Sequence, residues 1–141
     1  MTIEILEHTA DIKYKIDGES LEILFQESAQ AMMGTMIDLK QIHAVENKEI
    51  KLKAKEVDLL LHDFLERLLF IIQTEYYCFS EVKVKTVSKV GDEWVLEAEI
   101  KGEAIDKNIL EIQIDVKAIA WEDFGITNCN GNWETRFILD I

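Results

Sequence analysis

From Val57 to Ile72 the apolar residues Val57, Leu60, Leu61, Phe64, Leu65, Leu68, Leu69 and Ile72 recur at helical spacing, whereas in most other stretches of the chain the apolar repeat drops to every second residue. The two periods are not interchangeable. A repeat of about 3.6 residues lines one side of a helix, and alternation lines one face of a strand. A second helical stripe, Leu21, Leu24, Phe25, Ser28, Ala29, Met32 and Met36, follows Ser20, whose hydroxyl suits a helix N-cap. Gly34 near its end either weakens that helix, by about 1 kcal/mol relative to alanine, or permits close packing. Glu56 and Asp58 stand where the longer helix begins, and the helix dipole favours acids in a first turn.

The alternating segments predict strands. Ile12, Tyr14 and Ile16 alternate with Lys13 and Lys15 up to an Asp17-Gly18 turn. Ile50, Leu52 and Ala54 form a second strand, and Val82, Val84 and Thr86 a third that runs toward a turn at Gly91-Asp92. Trp94, Leu96, Ala98 and Ile100 share one face, and Gly102-Glu103 is expected to break their strand. Leu110, Ile112, Ile114, Val116, Ala118 and Ala120 predict another long strand. Asn130-Gly131-Asn132 is a hairpin signal before a last strand whose apolar face is Trp133, Thr135, Phe137, Leu139 and Ile141. With no proline in the chain, turns rely on Gly, Asn and Asp. The expected architecture is α+β, one domain over residues 1–141, a mostly antiparallel sheet with two amphipathic helices packed on one face.

A length of 141 residues fits one domain of the usual ~100–200 residues, and 48% apolar content is enough for a core. No apolar run approaches the ~20 residues that span a bilayer, and the acidic start from Met1 to Glu7 does not read as a signal peptide. A cytoplasmic protein is expected. The formal net charge of −13 argues against direct grip on a phosphate backbone and favours cations or a basic protein partner. The local lysine groups, Lys51, Lys53 and Lys55 and then Lys83 and Lys85, read as solvated strand faces. Cys78 and Cys129 lack metal-motif spacing and are expected to be buried or half-buried thiols without a disulfide. No Gly-rich phosphate loop, Cys-x-x-Cys, His-Glu-x-x-His or nucleophile elbow is present, so nothing reads as a self-sufficient catalytic site.

The chemistry lies in acids at the two ends. Asp11 sits in Glu7-His8-Thr9-Ala10-Asp11-Ile12, and the last residues are Asp140 and Ile141. If the first strand lies beside the last, Asp11, Asp140 and the terminal carboxylate of Ile141 converge as hard oxygen ligands suited to calcium or magnesium. Strand parity permits this. Core-facing Ile12 and Tyr14 turn Asp11 outward, core-facing Phe137 and Leu139 turn Asp140 outward, and core-facing Val116 and Ala118 would turn Lys117 outward too. Lys117 is then either a solvated lysine or a fixed cation limiting repulsion between the carboxylates. His8 either caps its own turn or serves as a base or ligand. His43 and His62 show no evident partners and are expected at the surface, and Trp94, Trp121 and Trp133 are expected to pack in the core or on sheet faces. Helical spacing assigns Met32, Met33 and Met36 to the core; were that methionine-rich face exposed, it or an exposed sheet edge would suit a chaperone-like module binding unrelated clients without a metal. A metal-dependent hydrolase using His8 and Asp11 is a third reading.

The segments His8-Thr9-Ala10-Asp11, Leu21-Glu22-Ile23-Leu24-Phe25, Leu60-Leu61-His62-Asp63-Phe64-Leu65-Glu66-Arg67-Leu68-Leu69-Phe70, Val116-Lys117-Ala118-Ile119 and Leu139-Asp140-Ile141 resemble the archease family, in order and over essentially the whole chain. The resemblance implies an accessory protein, not an enzyme, that helps an RtcB-type RNA ligase take up guanylate and turn over repeatedly in tRNA splicing or RNA repair. It implies a divalent metal (calcium, magnesium or manganese) held by Asp11, Asp140 and Ile141, a functional Lys117, RNA met only through the ligase, and no membrane. Two departures stand out. Ala120-Trp121-Glu122 replaces a frequent Thr-Tyr-His, leaving Glu122 as either an extra ligand or a solvated acid, and Gln73 replaces an acid before Thr74-Glu75.

Overall fold

The computed structural model describes residues 11–106 and 112–141. In chain order the elements are β1 (Asp11–Gly18), α1 (Leu21–Met36), a short 3-10 helix (Leu39–Gln41), β2 (Glu46–Ala54), α2 (Val57–Glu75), β3 (Tyr77–Val90), β4 (Glu93–Ala104), β5 (Ala118–Ile119), β6 (Gly125–Cys129) and β7 (Asn132–Asp140). Ser20 caps α1 as expected, its hydroxyl accepting the Ile23 N–H at 3.2 Å. At α2 the cap residue is Glu56, which makes no side-chain capping bond, and Asp58 alone supplies the first-turn acid. Asn130 and Gly131 both take positive φ, 53° and 85°, the backbone a two-residue hairpin between β6 and β7 requires.

The strands form two antiparallel sheets rather than one. In the first, β7 has β1 along one edge and shares its other edge between β5 and β6. In the second, β4 lies between β2 and β3. Each helix touches both sheets: α1 packs on β1, β7 and β3, and α2 on β2, β3, β4, β5 and β6. The helices therefore cover one face of each sheet and form a middle layer. This explains the breadth of their apolar surfaces. A helix covered on two sides must bury more than one stripe, and α2 buries Leu60, Leu61, His62, Phe64, Leu65, Leu68, Leu69, Ile71 and Ile72. Met32, Met33 and Met36 are fully buried between the layers. The outer sheet faces carry the charges: Lys83 stands opposite Glu99 and Lys51 opposite Glu97, so the lysine rows are neutralised locally.

Two strand expectations change. Gly102 does not break β4, which continues to Ala104. It faces an irregularity in β3 between Phe79 and Glu81, where only a residue without a side chain lets the two backbones meet. The run beginning at Leu110, itself outside the described residues, is not a long strand: between 112 and 120 only Ala118–Ile119 is extended into the sheet. Val116 and Ile119 are the buried residues there, three apart, so the alternation breaks. Side chains of α2 hold this segment. Gln73 Nε2 donates to the Val116 carbonyl at 3.2 Å, and His62 Nε2 lies 3.0 Å from the Ile119 carbonyl.

Of the two free cysteines only Cys129 departs from expectation. Cys78 is buried, and burial pushes its thiol up to about 11, whereas Cys129 is exposed at the hairpin. A thiolate is the reacting species, so an aromatic disulfide reagent at neutral pH should modify Cys129 alone in the native protein and both cysteines after denaturation. Rapid native labelling of both thiols would show that the β3 end of the core opens readily.

Candidate functional site

The pairing of β1 with β7 sets Asp11 directly opposite Asp140, and the pairing of β5 with β7 sets Ala118 on the other side of Asp140. Directly opposed residues project to the same face with Cβ atoms about 4.5–5.5 Å apart. Asp11 and Asp140 therefore share the outer face of the first sheet, and Ile141 follows immediately, half-buried against the core. Among the described residues neither carboxylate has an ion-pair partner. Like charges facing one another without a counterion are mutually destabilising by about 0.2–1 kcal/mol, a situation a cation would relieve. The donor set, hard oxygens beside a chain of strongly negative charge, fits a calcium- or magnesium-type ion.

Lys117 reaches this place by a different route from the one parity predicted. Ile119 points inward beside Leu139, Ala118 points outward beside Asp140, and Lys117 lies just outside the strand with its side chain exposed. Its link to Asp140 is through the backbone, the Lys117 N–H donating to the Asp140 carbonyl at 2.8 Å. His8 lies outside the described residues. Along the same outer face Lys15 stands opposite Arg136, both within ion-pairing distance of Glu134 at 3.6 and 3.3 Å. Lys13, Lys15, Arg136 and Asp123 line an open depression of about 630 Å³. The outer face thus runs from an acidic end to a basic middle.

His62 overturns its expected surface position. It is fully buried, its ring stacked on Trp121 with centroids 3.4 Å apart and the planes 11° from parallel, with Phe124 edge-on at 5.0 Å. Trp121 itself is 57% exposed, so it covers the histidine as an outer plate rather than joining the core, while Trp94 and Trp133 pack against the core as expected. Glu122 sits in an exposed turn after Trp121. His43 is at the surface but is partnered, its Nδ1 3.2 Å from Glu103 Oε1. Among the described residues the one set of three His, Cys, Asp or Glu side chains whose ligand atoms lie within 4.8 Å of one another is His62, Asp63 and Glu66. The i, i+4 spacing of His62 and Glu66 was the local signal for it.

The sequence profile of the archease protein family matches residues 3–141. The archease of Methanosarcina barkeri (strain Fusaro / DSM 804) is 32% identical over 138 residues, covering 98% of this chain and 94% of the relative. That of Thermococcus gammatolerans is 32% identical over 139 residues, with 98% and 97% coverage. The solution structure of Methanobacterium thermoautotrophicum protein 1598 superposes with a TM-score of 0.80 at 30% identity, covering 96% of each chain. A crystal structure of a Thermotoga maritima archease, described as a possible chaperone, shares the fold with a TM-score of 0.64 at 19% identity. With two inward-covered sheets, opposed aspartates at the β1–β7 end and a family match over nearly its whole length, this chain belongs to the archease family.

Proposed function

We propose that this protein is an accessory factor, not itself an enzyme, that promotes guanylylation and repeated turnover of an RtcB-type RNA ligase in the cytoplasm, in tRNA splicing or RNA repair. Family membership supports the reading, and the observation that carries it is the register that opposes Asp11 to Asp140. Asp11, Asp140 and the terminal carboxylate of Ile141 would hold a divalent ion such as calcium, magnesium or manganese. When bound, such an ion neutralises charge on phosphate oxygens in phosphoryl and nucleotidyl chemistry. Asp11 and Asp140 supply its negative ligands from two different strands, so the site exists only when the first sheet is formed. The Lys117 N–H donates to the Asp140 carbonyl, and the exposed Lys117 ammonium would meet an anionic group on the partner. His8 belongs to the same element of the family and would support the partner contact. A net charge of −13 makes direct RNA grip unfavourable, so RNA is met through the ligase.

The test is a guanylylation assay of a purified RtcB-type ligase with GTP, with and without this protein, across calcium, magnesium and manganese. The expected result is a rise in both the extent of guanylylation and the number of ligations per enzyme, dependent on a divalent ion. An unchanged ligase in every metal would refute the assignment.

A further inference from the structure

We propose a second cation site, distinct from the acidic pair at the chain ends: a zinc-class divalent ion bound by His62 Nδ1, Glu66 and Asp63 on α2. It goes beyond the ligase reading and does not depend on it. The argument starts from the proton on His62. Nε2 lies 3.0 Å from the Ile119 carbonyl, and a carbonyl oxygen only accepts, so Nε2 carries the hydrogen. In the neutral ring Nδ1 is then a bare lone pair. That lone pair is buried and has no hydrogen-bond partner, yet it lies 3.4 Å from the Glu66 carboxylate. Two acceptors at that distance call for a positive centre, a proton or a metal ion, and the geometry, which gives Nδ1 no hydrogen bond to Glu66, favours the ion.

The distance has the right value for a metal. Two ligands about 2.0–2.1 Å from a tetrahedral zinc are about 3.4 Å apart. Asp63, the adjacent residue, brings a second carboxylate within 4.8 Å of both. An imidazole with two carboxylates is a set that zinc and its neighbours in the first transition row bind and that calcium does not favour. The surroundings match as well. A metal-bound histidine generally donates its other N–H to a carbonyl or carboxylate, which fixes the ring, and here Ile119 accepts it while Trp121 and Phe124 clamp the plane. Glu66 is exposed, and Asp63 and Glu66, with Arg67, line an open groove of about 280 Å³ beside the buried ring, which leaves room for water as a fourth ligand on the carboxylate side.

The test uses the full chain carrying Asp140→Asn, which takes one of the chain-end acids away and so weakens the competing site, titrated with Co2+ and then displaced by Zn2+. One ion per chain with the intense visible absorption of tetrahedral Co2+ is expected. Glu66→Gln and Asp63→Asn, at solvent-facing carboxylates, should each weaken binding about tenfold or more with an unchanged circular dichroism spectrum. Because His62→Gln removes a buried side chain, the histidine is read in the intact protein instead: Zn2+ should shift the His62 Nδ1 nitrogen resonance while Nε2 keeps its proton. Absence of the tetrahedral spectrum, undiminished binding in Glu66→Gln, or an unmoved His62 Nδ1 resonance would overturn the proposal.

Discussion

Gly102→Ala is expected to destabilise the protein by about 3 kcal/mol or more, lowering its melting temperature by roughly 10 °C. A Cβ at this position would lie 1.9 Å from the carbonyl oxygen of Cys78 and 2.5 Å from the Phe79 Cα. Both obstacles are backbone, so no side chain can rotate away. Relief requires β3 to move off β4 where Tyr77 and Phe79, two of the largest fully buried side chains, enter the core. The same substitution at Gly34 provides the contrast. There the nearest atom to a new Cβ is Leu39 Cδ1 at 3.8 Å, and the position is helical, so alanine should stabilise by about 0.4–1 kcal/mol. Denaturant unfolding of both variants checks the pair. Equal, small effects at the two glycines would mean that the backbones of β3 and β4 do not meet as closely as described.

Asp140→Asn should abolish ligase stimulation while leaving the folded protein no less stable in chelator. The two effects have one cause. Without a cation, Asp140 faces Asp11 across the β1–β7 pair, and neutralising one partner removes a repulsion of about 0.2–1 kcal/mol. With a cation in excess the sign reverses. An ion present at about 100 times its dissociation constant stabilises the native state by about 2.7 kcal/mol, and the variant should lose most of that gain. Thermal melts of both proteins in chelator and in millimolar calcium or magnesium therefore give crossing orders of stability: the variant equal or higher without metal, the wild type higher with it. Full stimulation by the variant, or an identical metal response in the two proteins, would remove the acidic pair from the mechanism. Since an imidazole with two carboxylates at the His62 cluster would favour a zinc-class ion, the calcium or magnesium response reads the chain-end acids.

Much of this was legible in one dimension. The stripe from Val57 to Ile72 and the cap at Ser20 located both helices, because amphipathic periods and capping chemistry are local. Alternation located β1 and β7 and correctly turned Asp11 and Asp140 to the outer face, because a strand with one buried side has no freedom of parity. It turned Lys117 outward correctly but misled at Ala118, which is exposed because Val116 and Ile119 are buried three residues apart where Gln73 and His62 hold the segment's carbonyls. It misled at Gly102 because the absence of a side chain signals either a break or a close approach, and only the facing strand decides which. His62 was missed for a similar reason: the partners that bury it, Ile119, Trp121 and Phe124, are more than fifty positions away in the chain.

The amino-acid order alone settled where the two helices and the first and last strands lie, which side of each is apolar, that the surface is strongly acidic, and which family motifs are present. Those properties depend on near neighbours and on solvent. The division of the strands into two sheets, the position of the helices between them, the register that puts Asp11 opposite Asp140 and the burial of His62 beneath Trp121 were decided by tertiary structure. Each is a long-range choice of backbone pairing or side-chain packing, whose free energy appears only when distant segments meet.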